Sequence, residues 1–425
     1  MLSRIEANNF KSFKHLDYNC ARLNLLTGLN GAGKSSFVQL LLIFKMISSK
    51  KLERLYGASN EFLGIGYVGK TSEIGVSGKF DDIRYCYAKD GEGVGIRVCC
   101  SSRISDKVAI DDLRAASQET GATVVSLDIK PGSGNYIKLV YPMTNKRMNF
   151  DNEVAAAADL YNRLQDAHNV ILSNFNNLKI SDVRIKPLAV HSGGHENCRL
   201  VAEGHNAVEY LYNLGHRLYL DSDNPMRHRS TKSSRKSCLI DEVNAWLGEV
   251  SPGAKINVER VDIGDSQKFV ETIGYGEGDL RRTFTPQNVG FGISFIVPVL
   301  LNLLTARPGE IVVIENPEVH LHPRGQSELG RLIACAASSG VQLFVETHSD
   351  HLIGGVQIAV KEGLIKPGDV NVAFFERTPH KVEEESTKIF TVVRNITMDS
   401  KGLLSDFPDG FLDEWNRQTM ELLRP

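Results

Sequence analysis

What is scarce in this chain narrows it first. Seven cysteines (Cys20, Cys86, Cys99, Cys100, Cys198, Cys238 and Cys335) form an odd set with no C-x-x-C spacing. That excludes a paired disulfide framework and a thiolate zinc site, and points to free thiols in a reducing compartment. Net charge is nearly absent: 49 Lys and Arg against 51 Asp and Glu leave −2. Any affinity for nucleic acid must therefore come from a local patch. No apolar run reaches the roughly 20 residues that span a bilayer; the longest, around Phe291–Leu304, is interrupted by Pro298 and Asn302. The N-terminus carries charge and no long apolar stretch, which argues against a signal peptide. A cytoplasmic protein with no membrane partner is expected. Internal repeats, nuclease-type acidic clusters and metal-ligand spacings are also missing, so the chain does not read as carrying its own nuclease.

What is present is an ordinary globular composition, 42% apolar over 425 residues, enough for two to three domain-sized units. The start reads as strand, turn, strand into "TGLNG", followed by a helix from Lys34 to about Lys50. Residues 61–150 are short β-rich runs separated by Gly, Asp and Asn turns, an antiparallel lobe. "NEVAAAADLYNRLQDAHNVILSNF" (152–175) has helical spacing, and 151–255 reads as a helical insertion. Within it the polar "DSDNPMRHRSTKSSRKS" (221–237) is the best candidate for a flexible linker. Its basic residues, Arg227, Arg229, Lys232, Arg235 and Lys236, fit a solvated loop better than a nucleic-acid contact. From 256 onward helices alternate with nearly continuous apolar strands, the pattern of a parallel sheet covered on both faces. Residues 1–60 and 256–425 therefore read as two halves of one α/β P-loop domain with a mostly parallel core sheet.

Four motifs carry chemistry. Gly28-x-x-x-x-Gly33-Lys34-Ser35 is a complete Walker A pattern between a strand and a helix. Backbone N–H groups of Asn30, Gly31, Ala32, Gly33 and Ser36 can curl around phosphates, Lys34 reaches the β- and γ-phosphates, and Ser35 offers a hydroxyl to Mg²⁺. "IVVIENPEVHLHP" (311–323) ends an apolar strand in Glu315, where a Walker B carboxylate would join the metal shell. "VETHSDHL" (345–352) brings His348 to a strand's C-terminal end, where ligands sit in open parallel sheets; a capping or surface histidine is the plain alternative. "PQNVGFGISF" (286–295) places Asn288, Gly290 and Gly292 ahead of an apolar helix, as an anion site or only a tight turn.

Taken in order, these parts resemble ABC-type ATPase heads of the cytosolic branch: chromosome-maintenance and recombination-repair ATPases, and the bacterial overcoming-lysogenisation-defect ATPases. "ENPEVHLHP" with "ETHSDHL" is most similar to defence-associated bacterial members, and "DFPDGFLDEW" (406–415) resembles their C-terminal region. "NNFKSF" (8–13) is similar to the family's opening strand and makes Lys11 the basic residue near the nucleotide. The resemblance covers about 1–60 and 280–415. It implies an ATP- and Mg²⁺-dependent ATPase working as a homodimer or an oligomer of dimers, with Asn288, Gly290 and Gly292 closing over the nucleotide of the partner copy. It also implies a role as sensor or scaffold in defence against phage, with a phage protein or DNA as trigger and a separately encoded effector, a nuclease among the candidates. The alternative is a repair or recombination ATPase acting directly on DNA; a transporter ATPase is disfavoured by the signature and the large insertion.

One departure bears on rate. Asn316 stands where the relatives place a catalytic glutamate, and an amide cannot take a proton from water. Glu318, two residues on, is the substitute base unless it only caps the following turn, and slow turnover is expected because general base catalysis contributes about 10²–10⁴-fold. The glycine signature yields a direct test: Gly290→Trp should block ATP-promoted association while sparing ATP binding by the single subunit, as read by light scattering with a non-hydrolysable analogue. Normal assembly of the variant would reduce the glycine pair to a turn.

Overall fold

The computed structural model describes residues 2, 4–10, 12–48, 84–90, 93–99, 122–130, 135–142, 179–182, 190–192, 206–263, 266–276, 282–289, 291–383 and 386–424. In chain order the elements begin with β1 (Arg4–Phe10), β2 (Phe13–Asn19), β3 (Leu23–Gly28) and α1 (Lys34–Ser48). Next come β4 (Arg84–Asp90), β5 (Gly93–Cys99), β6 (Ala122–Lys130), β7 (Asn135–Pro142), β8 (Lys179–Asp182) and β9 (Val190–Ser192). The middle holds α2 (Ala207–Leu214), β10 (Tyr219–Asp221), β11 (Lys236–Cys238), α3 (Leu239–Val250), β12 (Lys255–Ile263), β13 (Ser266–Tyr275) and β14 (Arg282–Phe284). The last part runs α4 (Phe291–Leu304), β15 (Ile311–Glu315), α5 (Pro323–Ser338), β16 (Gln342–Glu346), α6 (Asp350–Lys361), β17 (Val370–Glu383), β18 (Ser386–Ile396) and α7 (Glu414–Leu422). The helix expected over 152–175 lies outside the described residues. No described helix is long and apolar enough to cross a membrane.

The chain divides into two compact units. The first comprises Met1–Cys20, Gly28–Asn177 and Phe374–Arg394. Its sheet has the order β2-β1-β7-β6-β5-β4, antiparallel throughout except for the parallel pair β5 and β6. From Leu16 onward β2 alternates and buries Leu16 and Tyr18 on one face, and Phe13 at its start is buried as well. An aromatic chain forms the core beside α1. The Phe37 ring lies edge-on to Tyr18 at 4.9 Å and to Phe375 at 5.6 Å, and Phe375 meets Phe13 at 6.3 Å.

The second unit comprises Ala21–Thr27, Leu178–Ala373 and Asn395–Pro425. Its central strands are all parallel and neighbour one another in the order β3-β16-β15-β8. The continuous apolar runs "IVVIE" and "QLFVE" are buried along their length because helices cover parallel strands on both faces. Helices α5 and α6 pack through glycines: a Cβ on Gly355 would lie 2.0 Å from the Ser327 carbonyl oxygen. A smaller sheet joins β12, β13 and β14, with β9 paired to β13. The short strands β8 and β9 have too few residues to display a period, and the sequence reading did not find them.

The stretch 221–237 is not a flexible linker. Arg227 is 1% exposed, and its Nε meets Glu242 Oε1 at 3.3 Å while its guanidinium also donates to the Ser234 and Thr231 carbonyls. Glu242 Oε2 accepts the His228 backbone N–H at 2.8 Å, and Trp246 Nε1 donates to the Met226 carbonyl. Composition suggested a solvated loop because charges usually stay in water. Here a buried carboxylate from α3 supplies the missing partner. Removing one member of a buried pair strands the other, so Arg227→Ala should lower unfolding stability by about 3–5 kcal/mol. Combining it with Glu242→Leu should recover much of the loss, as read by urea denaturation.

Candidate functional site

In the first unit the glycine loop connects β3 to α1. Gly28, Gly31 and Gly33 have φ of 130°, 73° and 112°, a region that side chains with a Cβ rarely enter. At Gly28 space is also a constraint, since a Cβ there would lie 2.2 Å from the Phe375 carbonyl oxygen. Lys34, 3% exposed, turns back and donates to the Gly28 and Leu29 carbonyls at 3.0 and 3.1 Å. Asn30, Gly31 and Ser35 are exposed and Ser36 half-buried, whereas Ala32 is buried. The loop is braced from β18: Thr391 Oγ lies 2.7 Å from both the Ala32 carbonyl and Ser12 Oγ. A hydroxyl has one proton, so Thr391 Oγ donates to either the Ala32 carbonyl or Ser12 Oγ, while its N–H donates to the Ser12 carbonyl at 2.8 Å. Thr391 carries no motif and was not foreseen. Lys11 lies outside the described residues.

In the second unit the parallel register places Leu26, Glu346, Glu315 and Asp182 in one row across four strands. Glu315 is half-buried and Glu346 5% exposed. The register thus flanks the predicted Glu315 with two acidic positions, Asp182 and Glu346, that sequence spacing could not connect. Directly after β15 the chain turns sharply. Asn316 has φ 46°, its N–H donates to the Glu346 carbonyl at 2.8 Å, and its carbonyl accepts from Val319. Asparagine is among the few residues other than glycine that tolerate this conformation, which gives a backbone reason for the amide at this position.

Glu318 and His348 are brought together by the turn. Glu318 is 8% exposed, and its Oε1 accepts the His348 backbone N–H at 2.8 Å. Its side chain therefore reaches across to the next strand's end, while its own backbone N–H also favours the charged carboxylate. Oε2 is buried without a hydrogen bond, although the nearby Thr347 hydroxyl favours the charged form. Burial pushes the Glu318 carboxyl above its ordinary 4.5, against the opposing pull of the His348 N–H. A second tie runs parallel to the first. Ser349 Oγ donates to Gln326 Oε1 at 2.5 Å and accepts from Leu352 N–H at 2.9 Å, capping α6. Gln326 Nε2 donates to the Leu321 carbonyl at 2.9 Å. Gln326 thus fastens the loop after β15 to the turn after β16; nothing in the sequence singled it out.

Of the signature residues, Asn288 is exposed and ends a short 3₁₀ turn, its Nδ2 on Thr285 Oγ at 3.1 Å. Gly290 lies outside the described residues. Gly292 is the second residue of α4 and not a residue ahead of it, and a Cβ there would lie 2.4 Å from the His320 carbonyl oxygen. A cavity of about 540 Å³ opens beside this turn, lined among others by Glu249, Tyr275, His320, His322 and Arg324. Burial alone would raise the Glu249 carboxyl, but hydrogen bonding and charge from Arg229, aided by His228, hold it below the usual range.

The raised Glu318 carboxyl has a measurable consequence. A group whose pKa is higher in the folded state contributes stability that is complete below its unfolded value and is lost as pH rises through the folded value. Glu318→Gln has no such loss. The variant's melting temperature relative to wild type should therefore be lowest near pH 4 and climb towards pH 8 (both about). A flat difference across that range would show a Glu318 side chain that ionises as freely as in water.

One family model matches residues 124–354, from β6 into α6, a span holding Glu315, Glu318 and His348 but ending short of the glycine loop on its N-terminal side. A second, described as "Protein of unknown function (DUF3696)", matches residues 365–422. No curated protein matches the chain. Among solved structures it is similar to the SmcHead bound to the C-winged helix domain of ScpA, at 11% identity over 92% of this chain and 97% of that one, TM-score 0.41. The Smc head domain with an extended coiled coil from Pyrococcus furiosus, bound to the C-terminal domain of ScpA, is similar at 11% identity over 100% and 99%, TM-score 0.38. The SMC head domain from Thermotoga maritima is similar at 11% identity over 92% and 98%, TM-score 0.35. With more than half of its residues matched by the first model, the chain belongs to the family described as "AAA domain, putative AbiEii toxin, Type IV TA system".

Proposed function

We propose that this chain is an ABC-type ATPase that uses ATP as a switch: bound nucleotide closes two copies against each other, slow hydrolysis releases them, and the cycle gates a separately encoded effector in bacterial defence against phage. The observation that carries the nucleotide reading is the glycine loop. Three glycines at positive φ shape it between a strand and a helix, and Lys34 is held on its carbonyls, an arrangement suited to exchange those carbonyls for phosphate oxygens. The family's description as a toxin of a toxin–antitoxin system supports a defensive role over housekeeping repair. So does the basic run: Arg227 and Arg229 are engaged by Glu242 and Glu249, which leaves fewer free cations for DNA.

Ser35 is the candidate Mg²⁺ ligand of the glycine loop and Glu315 the candidate metal-shell carboxylate of the parallel sheet; hydroxyl and carboxylate are the hard oxygen donors that this ion takes. When bound, Mg²⁺ neutralises phosphate charge. Asn316 can orient a water but not deprotonate it. Glu318, whose carboxyl burial raises above its ordinary value, is the candidate general base, and His348 would help to hold the same water. Asn288, Gly290 and Gly292 would act on the partner copy's nucleotide.

The test is ATP titration together with steady-state phosphate release. Lys34→Ala should abolish nucleotide binding with the fold intact. Glu318→Gln should bind ATP normally and lose about 10²-fold or more in kcat, and Glu315→Gln should shift the Mg²⁺ dependence. Undiminished ATP affinity in Lys34→Ala removes the loop from the mechanism, and wild-type turnover in Glu318→Gln returns that residue to a structural role.

A further inference from the structure

The glycine loop has a neighbour that no part of the Walker pattern specifies. β17 runs past the loop at Phe375, whose carbonyl leaves no room for a Cβ on Gly28. Two residues on, the Arg377 guanidinium reaches the loop's midpoint: a Cβ on Gly31 would lie 3.3 Å from Arg377 Nη2 and 3.7 Å from its Cζ. Gly31 itself is exposed with φ 73°, so the fork lies beside bare, exposed backbone of the loop. Arg377 is exposed as well. Among the described residues it has no ion-pair partner, whereas the adjacent Glu376 is paired with Arg394 at 2.7 Å. The loop beneath is braced by Thr391 from β18.

We propose that Arg377 is a ligand of the nucleotide's phosphate chain, supplied to the glycine loop by β17; this rests on the reading of that loop as nucleotide-binding. A guanidinium offers two parallel N–H donors that match a pair of phosphate oxygens and stays charged at any working pH. Lys34 is a point charge at one end of the loop, and Arg377 adds a planar fork above its middle. Residues 365–422, matched as a unit separate from the rest of the chain, thereby contribute directly to nucleotide affinity.

The experiment is calorimetric titration of the full chain with ATP and with inorganic triphosphate, for wild type, Arg377→Ala, Arg377→Gln and Arg377→Lys. Arg377→Ala and Arg377→Gln should weaken both ligands roughly tenfold, and Arg377→Lys should recover only part, because a point charge lacks the fork. Melting temperatures close to wild type identify the variants that report on binding; because the side chain is exposed, at least the glutamine variant is expected to fold. Equal triphosphate affinity in wild type and variants overturns the proposal and leaves the nucleotide reading standing. A loss seen with ATP alone also overturns it, because it moves Arg377 to the base or ribose. A wild type that binds neither ligand overturns the nucleotide reading itself.

Discussion

Parallel pairing of β16 with β15 on one side and β3 on the other is the constraint on which the rest of the site depends. Parallel strands deliver their C-terminal ends to the same edge, so Leu26, Glu346, Glu315 and Asp182 fall into one row although they are scattered over more than three hundred residues. The turns that follow these strands inherit that alignment. Without it, Glu318 and His348 would be two polar residues in unrelated loops.

The alignment is then secured by polar ties. Glu318 takes the His348 amide, Gln326 takes the Ser349 hydroxyl, and Asn316 donates to the Glu346 carbonyl. Each tie connects the loop after β15 with the strand or turn of β16. A buried carboxylate with one oxygen unbonded is costly in isolation, and its raised pKa is the physical expression of that cost. The same environment that disfavours charge raises the group's affinity for a proton. Asn316 belongs to this arrangement through its backbone: the left-handed turn it permits aims Glu318 across to its neighbour.

In the first unit a comparable logic governs the glycine loop. Its glycines admit close approach of Phe375 and Arg377, and Thr391 fixes its Ala32 carbonyl. All three neighbours lie in β17 and β18, more than three hundred residues downstream of the loop they brace. This support from β17 and β18 fixes the shape of the loop from outside its own sequence.

The residues by themselves determined what local chemistry and periodicity can encode. The glycine spacing and Lys34 announced the loop, and continuous apolar runs announced buried parallel strands around Glu315 and His348. Those signals are readable because each depends on neighbours within a few residues. Tertiary structure alone decided that Asp182 and Glu346 flank Glu315, that Gln326 and Thr391 act as ties, that Arg377 overlies Gly31, and that Arg227 is buried. Strands of three or four residues carry too little pattern to be seen, as with β8. A hydrogen bond between Thr391 and Ala32, or an ion pair between Arg227 and Glu242, leaves no periodic trace in the chain. Register, burial and partner choice are properties of distant segments brought together, and only the folded chain specifies them.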